Sequence, residues 1–130
     1  MIRRLLVVSL FAMATAACGG GDSNPTTDAP SGSDAASSNV ETVDPCTGES
    51  ATVTAPNTGN TYSPKDTTIS VGQIVKFEMD SFHNVAPATG SDDPGLTVGF
   101  GATACLKFTA AGTYNFKCTA HGFTGSITVQ

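Results

Sequence analysis

The chain has 130 residues, and its eleven acidic side chains outnumber six basic ones, for a net charge of −5. This length suits one small domain with appendages. Arg3 and Arg4 are the only arginines and the four lysines are scattered, so no basic patch exists to neutralise phosphates, and we predict no nucleic-acid partner.

The first segment has the form of an export signal. Its two arginines are followed by an apolar run over 5–17, which is shorter than the roughly 20 residues that span a bilayer and suits the core of a signal peptide. Small residues then lead into Cys18. This resembles a bacterial lipoprotein signal, with Thr15 where such signals usually have leucine. We predict a lipoprotein-type signal over 1–17 and lipidation of Cys18; ordinary secretory cleavage nearby is the alternative.

A flexible linker is predicted over 18–44. Small and polar residues dominate from Gly19 to about Asp44, and no aromatic residue occurs there. Such a segment buries too little apolar surface to offset the entropy of ordering it.

From Pro45 onward, short alternating runs are broken by Gly, Pro and Asn, as in a small all-β domain. Val75, Phe77 and Met79 alternate with charged residues, which indicates a half-buried strand. We therefore predict a domain over 45–130 that folds as an all-β, Greek-key β-sandwich of antiparallel strands. The predicted strands cover 51–55, 67–71, 75–79, 104–109, 114–118 and a last run that follows Gly125.

The cysteines of an exported protein are expected to pair. If Cys18 carries lipid, three of the four remain, and one must stay unpaired. Alternation puts Cys118 on the inward face at a strand end, with His121 three residues later, whereas Cys46 and Cys105 have no histidine near them. The economical assignment is a Cys46–Cys105 disulfide with Cys118 free; pairing of Cys118 with one of the others is the alternative.

Three kinds of site could use Cys118 and His121. A Cys–His nucleophilic dyad needs a third group to orient the imidazole, and nothing in the sequence marks one. A structural zinc site usually takes four clustered ligands, so a distant thiol would have to stay reduced outside the cytoplasm. Two imidazoles and one thiolate form a blue-copper site, and His83 is the only other histidine.

The segments "SFHNVAP" (81–87) and "GTYNFKCTAHGFTGSITVQ" (112–130) together resemble the plastocyanin/amicyanin group of the cupredoxin family. In that group a His-Asn at one strand end meets a C-terminal Y-x-F/Y-x-C-x-x-H loop and a closing strand. The earlier segment "YSPKDTTISVGQIVKFEM" (62–79) also fits the group's pattern. The resemblance covers about 61–130, and it implies a cupredoxin-like sandwich that binds one copper ion, as Cu(I) or Cu(II).

The resemblance also implies roles for particular residues. His83, Cys118 and His121 would be the equatorial copper ligands. Asn84 would hold the ligand loop in place through a bond from its amide to the region of Thr119, as outer-shell partners do at metal sites.

The group's weak axial methionine is missing. Met1 and Met13 lie in the signal, and Met79 lies on the wrong segment. Thr124 stands where a short-loop member of the group carries the methionine, and Phe123, which has no lone pair, is the other candidate for that space. Because the axial ligand tunes the reduction potential, a site without a thioether should favour Cu(I).

By the same resemblance, the edge of His121 would reach the surface through an apolar patch that includes Phe123 and Pro87, where a redox partner would dock briefly over a small interface. The sequence thus predicts a monomeric one-electron carrier with an unidentified redox partner. A copper buffering or delivery protein and a metal-free structural sandwich are the alternatives. We expect no enzymatic activity, because the strong ligand groups would all be bound to the metal.

The predicted location is the periplasm or the cell surface, with the lipid on Cys18 as the only membrane attachment. Gly19 and Gly20 follow that cysteine. Neither is the aspartate that signals inner-membrane retention in many lipoproteins, so the outer membrane is preferred.

Overall fold

The computed structural model describes residues 37–130, which form two four-stranded β-sheets. The predicted signal, Cys18 and most of the predicted linker lie outside these residues. The strands are β1 (Val40–Val43), β2 (Glu49–Ala55), β3 (Asp66–Ile69), β4 (Ile74–Met79), β5 (Ala86–Pro87), β6 (Thr103–Phe108), β7 (Gly112–Lys117) and β8 (Thr124–Val129).

No helix long and apolar enough to cross a membrane occurs within 37–130.

The strand order is β1-β6-β4-β2 in the first sheet and β3-β8-β7-β5 in the second. The prediction of an all-β, Greek-key sandwich is confirmed, but the expectation that every pair is antiparallel is wrong. β2 runs parallel to β4, and β3 runs parallel to β8. The reason is that the chain crosses to the second sheet to form β3 between β2 and β4, and such a crossover connection allows two strands of one sheet to run in the same direction.

The core lies between the sheets and follows the alternation of the strands. In β4, Val75, Phe77 and Met79 are buried as predicted, while the residues between them are partly exposed. Across the sandwich, the rings of Phe77 and Phe116 meet edge to face with their centroids 5.5 Å apart. Each fully buried side chain of this size stabilises the fold by about 1.5–3 kcal/mol, and the pair joins the two strands that lead to the histidine and cysteine described below.

The folded domain begins earlier than predicted. β1 pairs with β6 along its whole length, and Val40 is buried. Asp93 fixes the start of this segment, because its carboxylate accepts hydrogen bonds from the Ser38 hydroxyl and the Asn39 N–H, both at 2.6 Å. The predicted linker boundary at 44 is therefore wrong. The four-residue strand is too short to show a period, and its partner lies more than sixty residues further along the chain.

Cys46 and Cys105 form a disulfide with their Cα atoms 5.4 Å apart, and Cys118 is free and buried. In β6, Cys105 alternates with the core residues Leu106 and Ala104, so it lies on the outer face of the sheet, where the Cys46 segment covers it. Cys118 lies on the inner side. The two faces separate Cys118 from the pairing cysteines, and the alternative pairing is not formed.

Candidate metal centre

Three side chains from two separate segments meet at one end of the sandwich. His83 follows β4, Cys118 follows β7, and His121 lies in the loop between β7 and β8. Their ligand atoms all lie within 4.8 Å of one another. The Cys118 sulfur lies 3.8 Å from Nδ1 of His83 and 3.7 Å from Nδ1 of His121.

The loop from Cys118 to Phe123 is closed by its own backbone. The Cys118 N–H donates to the Phe123 carbonyl at 3.0 Å, and the Gly122 N–H donates to the Cys118 carbonyl at 2.8 Å. Gly122 has a φ of 74°, which glycine adopts without the steric cost that a side chain would bring. This tight turn brings the His121 ring next to the sulfur of Cys118, three residues earlier in the chain.

The spacing of the three donor atoms fits a single small metal ion. With the bond lengths of zinc sites, about 2.3 Å to sulfur and 2.0–2.1 Å to nitrogen, a trigonal arrangement separates sulfur from nitrogen by about 3.8 Å. The observed separations are 3.8 and 3.7 Å. One thiolate and two imidazoles are also the donor set of a blue-copper site.

The surroundings of His83 supply a second indication. The ring is 2% exposed, and its Nε2 atom has no hydrogen-bond partner within the described part of the chain. Burying such a group without a partner costs about 1–3 kcal/mol. A metal bond at Nδ1 would leave Nε2 protonated and still without a partner, so the indication is a different one: Nδ1, the other ring nitrogen, faces the Cys118 sulfur at 3.8 Å and not a hydrogen-bonding group of the core.

Asn84 joins the two segments that carry the ligands. Its Oδ1 accepts hydrogen bonds from the Thr119 N–H at 2.8 Å and the Thr119 hydroxyl at 3.1 Å. This is the contact that the sequence resemblance implied. His83 and Cys118 are the chain neighbours of these two residues, so the bonds fix the distance between the two ligands.

Tyr62 is a further member of this network, and the sequence analysis gave it no role. Its hydroxyl donates to the backbone carbonyl of Asn84 at 2.6 Å, and its ring packs edge to face against Phe116. Burial, and secondly the negative charge of Cys118, raise the pKa of Tyr62 far above its usual range. The hydroxyl thus stays protonated and remains a donor. In the sequence, the only sign of a role for Tyr62 was its position at the start of the 62–79 segment that resembles the family's pattern.

The two residues named as candidates for the axial space, Thr124 and Phe123, face opposite sides of the sheet. Thr124 is exposed and lies on the outer face of β8, in a groove that Lys65 and Lys117 also line. Phe123 instead packs against the core, and its ring meets that of His83 edge to face at 5.1 Å. Of the two candidates for the axial space, Thr124 thus faces away from His83, and the Phe123 ring, which lies beside His83, offers no ligand atom.

The residues of the predicted docking surface differ in exposure. His121 is exposed, whereas Phe123 is half-buried with its ring against Tyr62 at 4.5 Å. Pro87 is half-buried in β5, where it pairs with Phe116.

One backbone group also lies near the three ligand side chains. The carbonyl oxygen of Phe82 is 3.9 Å from the Cys118 sulfur. Because every residue has a carbonyl, the sequence could not have indicated this contact.

No protein-family model and no curated protein matches the chain. Solved structures of amicyanin do match. Amicyanin from Paracoccus versutus aligns with a TM-score of 0.56 at 20% identity, over 72% of this chain and 100% of that one. A reduced amicyanin variant aligns with a TM-score of 0.56 at 21% identity, over 71% of this chain and 99% of that one. The Cu(I) form of another variant gives 0.57 and 21%, with the same coverage of 71% and 99%.

These alignments establish the fold. The chain has the β-sandwich fold of amicyanin, and the fold that the sequence resemblance implied is confirmed.

Proposed function

We propose that this protein is a copper-binding one-electron carrier in which His83, Cys118 and His121 hold one copper ion. The observation that carries the proposal is the convergence of a free, buried cysteine and two imidazoles at the spacing of a trigonal site. When bound, copper supplies a Cu(II)/Cu(I) couple.

The protein's own part is to keep its ligands in place while the charge changes. His83 and Cys118 follow β4 and β7, two strands from different sheets that pack against each other, and the Asn84–Thr119 bonds connect the ligand segments directly. The half-buried ring of Phe123 covers His83 from one side, which keeps water away from it. A carrier with little ligand movement between oxidation states exchanges electrons quickly, and this rigidity favours electron transfer over buffering or delivery.

A spectrum of the purified protein with added Cu(II) tests the proposal. We expect one equivalent of copper to give an intense sulfur-to-copper charge-transfer band in the visible region. The band should be absent in Cys118→Ala and present in a variant that lacks the disulfide cysteines. A wild-type protein that gives no such band would refute the assignment. A band accompanied by very slow electron exchange between oxidised and reduced protein would support copper buffering instead.

We also propose export to the periplasm or cell surface as a monomer, with a lipid on Cys18. The disulfide supports an oxidising compartment, and the sequence pattern around Cys18 supports the lipid. Mass spectrometry of the mature N terminus tests this. A diacylglycerol adduct on Cys18, together with release of the protein from membranes in Cys18→Ser, is expected; cleavage elsewhere without a lipid would refute it.

A further inference from the structure

The metal centre brings together three ligand atoms. Within residues 37–130, no carboxylate and no further His or Cys side chain joins the cluster of His83, Cys118 and His121. Cys118 is fully buried and His83 is 2% exposed, so only His121 borders the solvent. Any fourth ligand, whether a side chain or a water molecule, would have to lie next to the two buried ones.

The ring of Phe123 takes up space beside both imidazoles. It meets the His83 ring edge to face with the centroids 5.1 Å apart, and it is stacked beside the His121 ring at 6.3 Å. A hydrocarbon ring offers no lone pair to a metal ion. A buried water molecule needs roughly 2–4 polar partners, which an aromatic ring does not provide. The ring therefore closes the side of the centre that it covers to a fourth ligand.

Tyr62 holds this ring in place. The centroids of the Tyr62 and Phe123 rings are 4.5 Å apart. Tyr62 is itself 2% exposed and is fixed by the bond from its hydroxyl to the Asn84 carbonyl. The backbone of Phe123 is restrained as well, because its carbonyl accepts a hydrogen bond from the Cys118 N–H at 3.0 Å. We call Tyr62 and Phe123 the aromatic seal.

The number of ligands is the property by which such a centre can discriminate between metals. Thiolate and imidazole groups bind zinc as well as copper, so the three donors do not exclude zinc by their type. Structural zinc is almost always tetrahedral with four ligands, whereas a blue-copper site uses two imidazoles and one thiolate with only a weak further ligand. Denying a fourth ligand thus destabilises the zinc complex more than the copper complex, and specificity often depends on such an element against the competitor.

We propose that Phe123 is the specificity-determining residue of the metal centre, with Tyr62 as its positioning residue. By excluding a fourth ligand, the aromatic seal makes the three donors a poor site for Zn(II) while they still bind Cu(I). This inference rests on the proposed function, because it concerns the same three ligands. It gives a reason for an aromatic ring, rather than a ligand side chain, at this place.

Competition titrations of the metal-free protein with Zn(II) and with Cu(I), each against a chelator of known affinity, test the inference. Phe123→Ala should raise the affinity for Zn(II) relative to Cu(I) about tenfold, a change on the scale of other outer-shell substitutions, because water can then complete the zinc tetrahedron. Phe123→His supplies a fourth donor and should raise the ratio further. Tyr62→Ala should shift it in the same direction. Phe100→Ala removes an exposed phenylalanine from the loop before β6 and is the matched control, with an unchanged ratio.

The ratio of the two affinities separates exclusion of a fourth ligand from damage to the fold, because damage lowers both affinities together. If Phe123→Ala does not fold, Phe123→His decides the question, since it keeps an aromatic ring. An unchanged ratio in the Phe123 variants would overturn the inference, and so would tighter binding of Zn(II) by the wild type than by Phe123→His. Both results leave intact the charge-transfer band with Cu(II), which tests the proposed function. A wild-type protein without that band would refute the function, whatever its affinity for Zn(II).

Discussion

Asn84→Ala should weaken both the fold and the metal site, because one acceptor atom holds the two ligand segments together. Its Oδ1 accepts two hydrogen bonds from Thr119, at 2.8 and 3.1 Å. Each such bond contributes about 1 kcal/mol net, and a partly buried N–H left without an acceptor adds a desolvation cost of the same order. We therefore expect the free energy of unfolding of the metal-free protein to fall by about 2–3 kcal/mol.

A urea-unfolding series measures this loss, and a double-mutant cycle assigns it to the contact. Thr119→Ala removes only the weaker hydroxyl bond of an exposed side chain and should cost about 0.5–1 kcal/mol. In the Asn84→Ala background the same change should cost almost nothing, because its acceptor has already gone. Asn115→Ala, a half-buried asparagine on β7, serves as a control and should change stability by no more than about 0.5 kcal/mol.

Copper affinity is the functional measurement. Loss of an outer-shell partner typically lowers metal affinity about 10–100-fold, so a competition titration should separate Asn84→Ala clearly from Asn115→Ala. The reasoning fails if Asn84→Ala is as stable and binds copper as tightly as the wild type. It also fails if the two alanine substitutions in the cycle are additive, since the bonds would then not be shared.

Three further predictions concern the disulfide, the ring beside His83 and the two tyrosines. Replacing both Cys46 and Cys105 by alanine should lower the free energy of unfolding by about 4 kcal/mol, the chain-entropy value for a bridge between residues 59 positions apart; an unchanged urea midpoint would contradict this. Phe123→Met would place a thioether beside His83 and should lower the reduction potential, whereas Thr124→Met, on the outer face, should leave it nearly unchanged in voltammetry. A larger drop in Thr124→Met would restore the assignment made from the sequence. Burial first, and a nearby negative charge second, raise the pKa of both tyrosines. The folded state thus holds the tyrosine protons more tightly than the unfolded state, in which tyrosine side chains titrate at about pH 10. The stability that they contribute is complete below that pH and is lost above it. Ultraviolet titration should show no tyrosinate before alkaline unfolding begins, and a tyrosine that ionises near about pH 10 in the folded protein would oppose the prediction.

The strands with a clear two-residue period could be predicted from the sequence. β4, β7 and β8 carry inward-facing residues at alternate positions, and alternation is a direct consequence of strand geometry. β1 and β5 have only four and two residues, too few to show a period. Both depend on partners in β6 and β7 that lie far along the chain, and such pairing leaves no local signal. The same limitation explains why the two parallel strand pairs were not foreseen.

The ligands of the candidate site could be predicted because the chain offers so few. Two histidines and one cysteine are left once the disulfide and the signal are assigned, and the resemblance to the cupredoxin family implied that these three share one site. The second hydroxyl of the network, that of Tyr62, could not be found in this way. Its partner is the backbone carbonyl of Asn84, and every residue in the chain has such a carbonyl, so only the folded arrangement selects it.

The sequence offered Thr124 and Phe123 as candidates for the axial space, and strand register distinguishes between them. Ile127 and Val129 were correctly placed on the inward face, and the same alternation extends backward through Gly125 to Phe123. Gly125 confirms this direction, because a Cβ there would lie 2.6 Å from the ring of Phe116, so only glycine fits against the core. Thr124 must then face outward. Counting residues from His121 does not take this constraint into account, because the loop can vary in length. The register of β8 is fixed, since a shift by one residue would move its apolar side chains from the core to the solvent face. Strand register, rather than spacing from the last ligand, therefore decides which side chain closes the site.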